Sequence, residues 1–483
     1  FLNEAARMLE EGLADIPTIE EACKRAFKIG MGPFLLMNVT GIPIAVHAAT
    51  TLGNELGPFY APCDRLKAQM GKKENWNLEG TVDESRIQAV SDRMYGVCLG
   101  VSAALVDEGV ASIEDTDRGA KIGLRWTLGP FEIMNRIGID KTYAAVAAIS
   151  DKYPDFKMPA LLKQQKSIGK PFEFNFVDVS VKDGIATLTL NRPEAMNALN
   201  EQLVAQLGSR FSEAESRPDV KAIVIQGAGK AFVAGADIRY FVNKIKADRI
   251  PDIVNFTRKG HEVFLKIENS PKLTIALLDG LSLGGGSELA LACQAIVATS
   301  AGSMAFPETG IGIYPGLGGM LRLTRQVGPE LAKYYVFTGA PISAKDAKDL
   351  GIVQKLVEPA DIPGAVQALI SEGKPDKYRS RDLPGKFKPL ADMFTGNRVA
   401  SWLAGKLPEG VSVDSGAKTL KTIGFKAPLA LKVSAEIIDQ QLGKAMTDAV
   451  EIELGNLSRI FATADALEGL STAGRKRPEF KGV

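Results

Sequence analysis

Two carboxylates set in glycine-rich surroundings are the residues of this chain with the clearest potential for chemistry. In LDGLSLGGGSELALACQ, residues 278–294, Gly284 to Gly286 stand between an apolar, strand-like run and an apolar helix, and Glu288 falls in the first turn of that helix. Bare N–H groups at a helix start form a cradle for developing negative charge. A flexible linker is the alternative for the glycines, but a linker is not normally pinned between a buried strand and a buried helix. The segment KAIVIQG, followed by GAGKAFVAGADI, has the same grammar. Two such loops can aim two N–H donors at one carbonyl oxygen. Helix capping alone would account for Glu288. A third segment, AFPETGIGIYPGLGG, changes that balance by placing Glu308 after a proline, 20 residues beyond Glu288. Two carboxylates beside a carbonyl-polarising cradle can position a water and exchange its protons, which is general acid–base chemistry next to an activated carbonyl.

The elements that must position these residues are legible in outline. VDVSVKDGIATLTLNRP alternates about Asp183-Gly184 and reads as a β-hairpin; NEQLVAQLGSRFSEAE repeats Leu203, Leu207 and Phe211 at helical spacing; KAIVIQG and KLTIALLDG read as buried strands. Strands alternating with helices make residues 174–373 an α/β core. Residues 374–424, rich in Gly, Pro, Lys and Arg, read as an insertion or a loosely ordered connection, and 425–483 as a helical tail. Leu429, Leu431, Ile437 and Ile438 are too many for one narrow stripe, so the tail is expected to build a subunit interface.

Upstream the chain repeats itself. EGLADIPTIEEACKRAFKIGMGPFLLMNVTGI aligns without a gap to EGVASIEDTDRGAKIGLRWTLGPFEIMNRIGI, so that Gly12 recurs as Gly109, Gly32-Pro33-Phe34 as Gly129-Pro130-Phe131 and Asn38 as Asn135. Residues 1–150 are expected to be a duplicated helical domain, and the Pro- and Lys-rich stretch 151–173 a linker.

Composition excludes some classes. With 58 Lys+Arg against 57 Asp+Glu there is no electrostatic case for nucleic acid or an acidic membrane surface. No segment was expected to span a membrane. Cys23, Cys63, Cys98 and Cys293 are scattered and form no CxxC pair, which fits a reducing, cytoplasmic setting, and no metal site is expected. The chain opens at Phe1 within an amphipathic pattern and reads as a piece of something longer. His47 and His261 fall in no recognisable motif and read as ordinary packed or surface residues.

AFVAGADI, LSLGGGSELALAC and FPETGIGIYPGLGG, in that order and spacing, resemble the crotonase (enoyl-CoA hydratase) superfamily over residues 174–483. The resemblance implies a ββα superhelix and an oxyanion hole at the backbone N–H groups of Ala236 and Gly285. It implies Glu288 and Glu308 as the acid–base pair, and substrate binding around Ala234, Asp237, Ile238 and Gly284. It further implies acyl-CoA thioester substrates, no cofactor for hydration, and a trimer or dimer of trimers. The duplicated segment resembles the C-terminal helical domain of 3-hydroxyacyl-CoA dehydrogenases. In that family NAD is bound by a preceding Rossmann domain with a catalytic His-Glu pair, which is not in this sequence, so this chain is not expected to hold NAD. The reading is a fused dehydrogenase/hydratase whose hydratase half is complete. The rivals are an enoyl-CoA isomerase, an acyl-CoA hydrolase and a noncatalytic acyl-CoA-binding subunit.

Overall fold

The computed structural model describes residues 1–378 and 382–483. The chain divides into two units, Phe1–Phe174 and Asn175–Val483.

The first unit is built from helices alone. Its central helix, Ile87–Asp107, packs against Ile16–Phe27 and Ile139–Lys152. That helix is long and apolar enough to cross a membrane, against the expectation that no segment would be. Val90, Met94, Leu99 and Ala103 on it are buried in the unit's core, which is what gives the helix its apolar character here.

The duplication carries equivalent polar devices. Glu20 Oε1 accepts from Gly32 N–H and its Oε2 from Phe34 and Leu35 N–H, at 2.8, 2.9 and 3.3 Å. At the matching place Asp117 Oδ1 accepts from Phe131 N–H and Oδ2 from Glu132 N–H, at 2.7 and 3.0 Å. Each carboxylate satisfies orphan donors at the start of a Pro-led helix. Asn38 then exchanges two hydrogen bonds with the backbone of Trp76, and Asn135 exchanges two with the backbone of Phe172. The rings beyond them pack edge-on, Phe34 on Trp76 and Phe131 on Phe172.

This second clasp corrects the expected linker at 151–173. Phe156, Leu162 and Phe172 are buried in the first unit's core, and Ala160–Ile168 is a helix. The prolines and lysines that suggested a linker lie on or beside a segment fastened by its aromatic residues.

Among the described residues the second unit contains ten strands: β1 (Val177–Lys182), β2 (Ile185–Leu190), β3 (Ala222–Gly227), β4 (Ala231–Ala234), β5 (Leu273–Leu278), β6 (Leu281–Leu283), β7 (Ala295–Ala298), β8 (Ser303–Ala305), β9 (Ile342–Ser343) and β10 (Lys355–Leu356). They form two sheets, ordered β1-β2-β3-β5-β7-β10 and β4-β6-β8-β9. Three successive strand pairs, β3/β4, β5/β6 and β7/β8, each give one strand to each sheet, and all of these pair in parallel with the next turn. This is the expected ββα superhelix. β1 and β2 form the expected antiparallel hairpin, with positive φ at both Asp183 and Gly184.

Of residues 374–424, read as an insertion or a loosely ordered connection, the described part is folded. Residues 379–381 of that stretch lie outside the described residues. The remainder contributes helices Lys388–Asp392, Arg398–Leu403 and Val413–Ile423 around a core of its own, in which Trp402, Phe394 and Phe337 are buried and Trp402 Nε1 donates to Met393 O at 2.8 Å. Leu431 packs into that cluster and Ile437 and Ile438 into the main core, so these side chains are spent within their own unit.

Candidate active site

Each turn of the superhelix delivers one loop. β6 ends at Leu283 and the chain turns at Gly284, whose φ of +47° and closeness to the Glu308 carboxylate exclude a side chain. A Cβ on Gly286 would run into Val233 O. Helix Gly285–Ala292 starts here, and Ser287 Oγ fastens its first turn by donating to Ser282 O and Ala305 O. In the β4 loop, Leu199 N–H donates to Gly235 O and Asp237 N–H to Leu199 O, at 2.9 and 2.8 Å. This parallel bridge turns the intervening Ala236 N–H the other way. Neither Ala236 N–H nor Gly285 N–H has an acceptor among the described residues. Both residues line one cavity of about 190 Å³, together with Ala234, Ile238, Gly284, Glu288 and Glu308. Phe241, Phe256, Leu457 and Phe461 supply apolar wall.

The structure thus brings together every residue expected at the site except Asp237, which does not line the cavity. Its carboxylate caps helix Ile238–Lys246 by accepting from Arg239 N–H, and it pairs with Arg192 at 3.6 Å. An aspartate directly before a helix is an N-cap by local chemistry.

The two glutamates are buried, at 2% and 7% exposure, and held differently. Glu288 Oε1 accepts from Leu317 N–H at 2.7 Å and Gly319 N–H at 2.9 Å. Glu308 starts a 3₁₀ turn after Pro307, and its Oε2 has no hydrogen-bond partner. Burial pushes the Glu308 carboxyl up from 4.5 to about 8. Burial, then the charges of Glu308 and Glu453, push Glu288 up as well, against the pull of the Gly319 and Leu317 amides. Two like charges do not both persist in one buried cavity. The paired amides favour the charge on Glu288, while the Lys426 charge favours it on Glu308.

Sequence reasoning did not reach Glu453 or the role of its neighbour His261. Glu453 is fully buried, with Oε1 accepting from Gly318 N–H at 2.6 Å, and His261 Nε2 lies 3.4 Å from that oxygen. A usable signal exists: Glu453 occupies an apolar position in the stripe Val450, Leu454, Leu457, and His261 does so between Thr257 and Phe264. His47, by contrast, is exposed, as an ordinary surface residue would be. Among the described residues, no group of three or more His, Cys, Asp or Glu side chains is arranged to hold a metal ion.

Comparison with known proteins agrees with this geometry. A family described as enoyl-CoA hydratase/isomerase matches residues 185–479, and the C-terminal domain of 3-hydroxyacyl-CoA dehydrogenase matches 1–82 and 90–171. A short-chain-enoyl-CoA hydratase of Clostridium acetobutylicum is 37% identical over 201 residues, 41% of this chain and 76% of the relative. A crotonyl-CoA hydratase of Syntrophomonas wolfei is 39% identical over 182 residues, 38% of this chain and 68% of the relative. The crystal structure of a carnitinyl-CoA dehydratase from Mycobacterium thermoresistibile superposes with a TM-score of 0.55 at 26% identity, covering 64% of this chain and 92% of that one. The second unit, with its paired glutamates and unpaired amides on one cavity, therefore places this chain in the enoyl-CoA hydratase/isomerase family, joined to a 3-hydroxyacyl-CoA dehydrogenase C-terminal domain.

Proposed function

We propose that the chain is an enoyl-CoA hydratase that adds water reversibly to a trans-2-enoyl-CoA, giving a 3-hydroxyacyl-CoA. The observation that carries the reading is the meeting of two unlike carboxylates and two unpaired amides on one cavity. The thioester oxygen accepts from Ala236 and Gly285 N–H, which draws electrons from the conjugated double bond. Ionised Glu288 takes a proton from water as the water oxygen bonds to Cβ. The electron pair of the double bond moves to the enolate, and neutral Glu308 protonates Cα. The reverse sequence dehydrates the product. Ala234, Ile238 and Gly284 support the bound thioester from the cavity wall.

The first unit matches part of a dehydrogenase, and we read the pair as portions of one bifunctional enzyme whose other activity oxidises the 3-hydroxyacyl-CoA with NAD. The residues described here do not fit that cofactor. The first unit contains no strand, and so no strand–turn–helix to receive a pyrophosphate. Hydration itself calls on no cofactor in this scheme. The homo-oligomer implied by the resemblance draws no support from Leu431, Ile437 or Ile438, which are already buried.

Purified chain mixed with crotonyl-CoA is expected to give saturable loss of the absorbance of the conjugated thioester and 3-hydroxybutyryl-CoA as product. Double-bond migration without water uptake, release of free acid, or binding without turnover would each overturn the reading in favour of a different one.

A further inference from the structure

The turn Leu317–Gly319 divides its amides between two carboxylates. Leu317 and Gly319 N–H donate to Glu288 Oε1, while the amide between them, Gly318 N–H, donates to Glu453 Oε1 at 2.6 Å. Glu453 comes from helix Met446–Gly455, has no exposed surface and does not line the cavity. Its Oε2 accepts from Gln441 Nε2 at 3.3 Å, and its backbone oxygen accepts from Tyr314 Oη at 2.6 Å. His261 stands behind it, 1% exposed, with neither ring nitrogen in a hydrogen bond and Nε2 3.4 Å from Glu453 Oε1. Burying a carboxylate so completely is costly, and an apolar residue at this stripe position would pack with less penalty. The turn itself needs anchoring: Gly318 carries no side chain to fix it, and the carbonyls of Leu317 and Gly318 are held by Arg322 Nη1 at 3.1 and 3.3 Å. The N–H side of the same turn is held by the two glutamates.

We propose that Glu453, backed by His261, is a positioning residue that fixes the Leu317–Gly319 turn so that its two outer amides stay aimed at Glu288 and leave the second Glu288 oxygen free for the reacting water. The inference rests on the hydratase reading of Glu288 and adds to it a residue that never meets the substrate. The Glu453 charge raises the proton affinity of both Glu288 and Glu308. The other groups around it are His261, Tyr314 and the Arg322 guanidinium, with the Arg258–Glu451 ion pair at the outer edge of the same helix packing.

The test uses the whole chain and two substitutions, with the wild type and Glu288→Gln measured beside them across a pH series with crotonyl-CoA. Glu453→Gln keeps an acceptor for Gly318 N–H and removes the charge. Its turnover is expected to stay within roughly threefold of wild type, while both limbs of the kcat/KM profile move to lower pH. Glu453→Ala removes the acceptor as well, and misaiming the amides by a fraction of an ångström is expected to lower kcat roughly 10- to 100-fold with little change in KM. Wild-type pH limbs in Glu453→Gln overturn the inference, whether or not Glu453→Ala folds. So does a Glu453→Ala loss accounted for entirely by a smaller folded fraction. An inactive wild type or a fully active Glu288→Gln would instead bring down the hydratase reading, which separates the two failures.

Discussion

Glu20 and Asp117 in the first unit lie against Gly-Pro-Phe helix starts with both oxygens of each carboxylate bonded to backbone amides. In the second unit Glu288 also sits at a glycine-led helix start, but only its Oε1 takes amide donors, and Glu308 Oε2 has none. Residue type and burial are alike in the two units; the difference lies in whether both carboxylate oxygens or only one is held by amides. A carboxylate with both oxygens held by the amides of a helix start is a cap. One that keeps an oxygen toward a cavity has proton affinity left to use on a ligand.

That contrast can be broken from either side. The largest effect is expected at the cavity: Glu308→Gln or Glu288→Gln, which keep the shape and delete the exchangeable proton, should each lower hydration by about 10² to 10⁴-fold with an unchanged circular dichroism spectrum. Near-normal turnover in Glu308→Gln would make it a second cap. A smaller effect of another kind is expected from Glu20→Ala, which strands the amides of Gly32, Phe34 and Leu35. A cost of about 1–3 kcal/mol in unfolding of the first unit, with the hydration rate per molecule unaltered, is the signature of a cap.

The mildest probe is pH. Because burial lifts Glu308 from 4.5 to about 8, its acid form is present below that pH and lost as pH rises through it. The kcat/KM for hydration should therefore fall about tenfold per pH unit on the alkaline side of about 8. The native second unit retains a proton there that the unfolded chain has released, so its stability should decline as pH rises between about 4.5 and 8 and flatten above. An alkaline limb far from 8 would remove Glu308 from the acid's role.

The sequence disclosed what is local and withheld what is distant. Strand patterns, the Asp183-Gly184 turn, the glycine loops and both cavity glutamates were readable because each is set within a few residues of its neighbours. Glu453 was not, since its bond to Gly318 spans 135 residues and only its place on an apolar stripe sets it apart from the exposed Glu451 on the same helix. The clasp on Phe172 was hidden for a related reason: its partner, Asn135, lies 37 residues earlier, on the far side of the prolines that mimic a linker. Asp237 shows the opposite case, a local cap whose signal, an aspartate directly before a helix, stood in plain view.

The three glycines that begin helix Gly285–Ala292 are each required by a different neighbour. Gly284 yields to the Glu308 carboxylate, Gly285 faces the ends of the Leu199 and Leu317 side chains and the Glu288 Oε2, and Gly286 lies against the backbone of Val233. Mutational drift through this triplet is therefore filtered three times, by acid placement, by room for a ligand and by the fold. Only Gly285 combines an ordinary φ with obstructing atoms at side-chain ends, so a lineage shedding catalysis while keeping its shape would change there first.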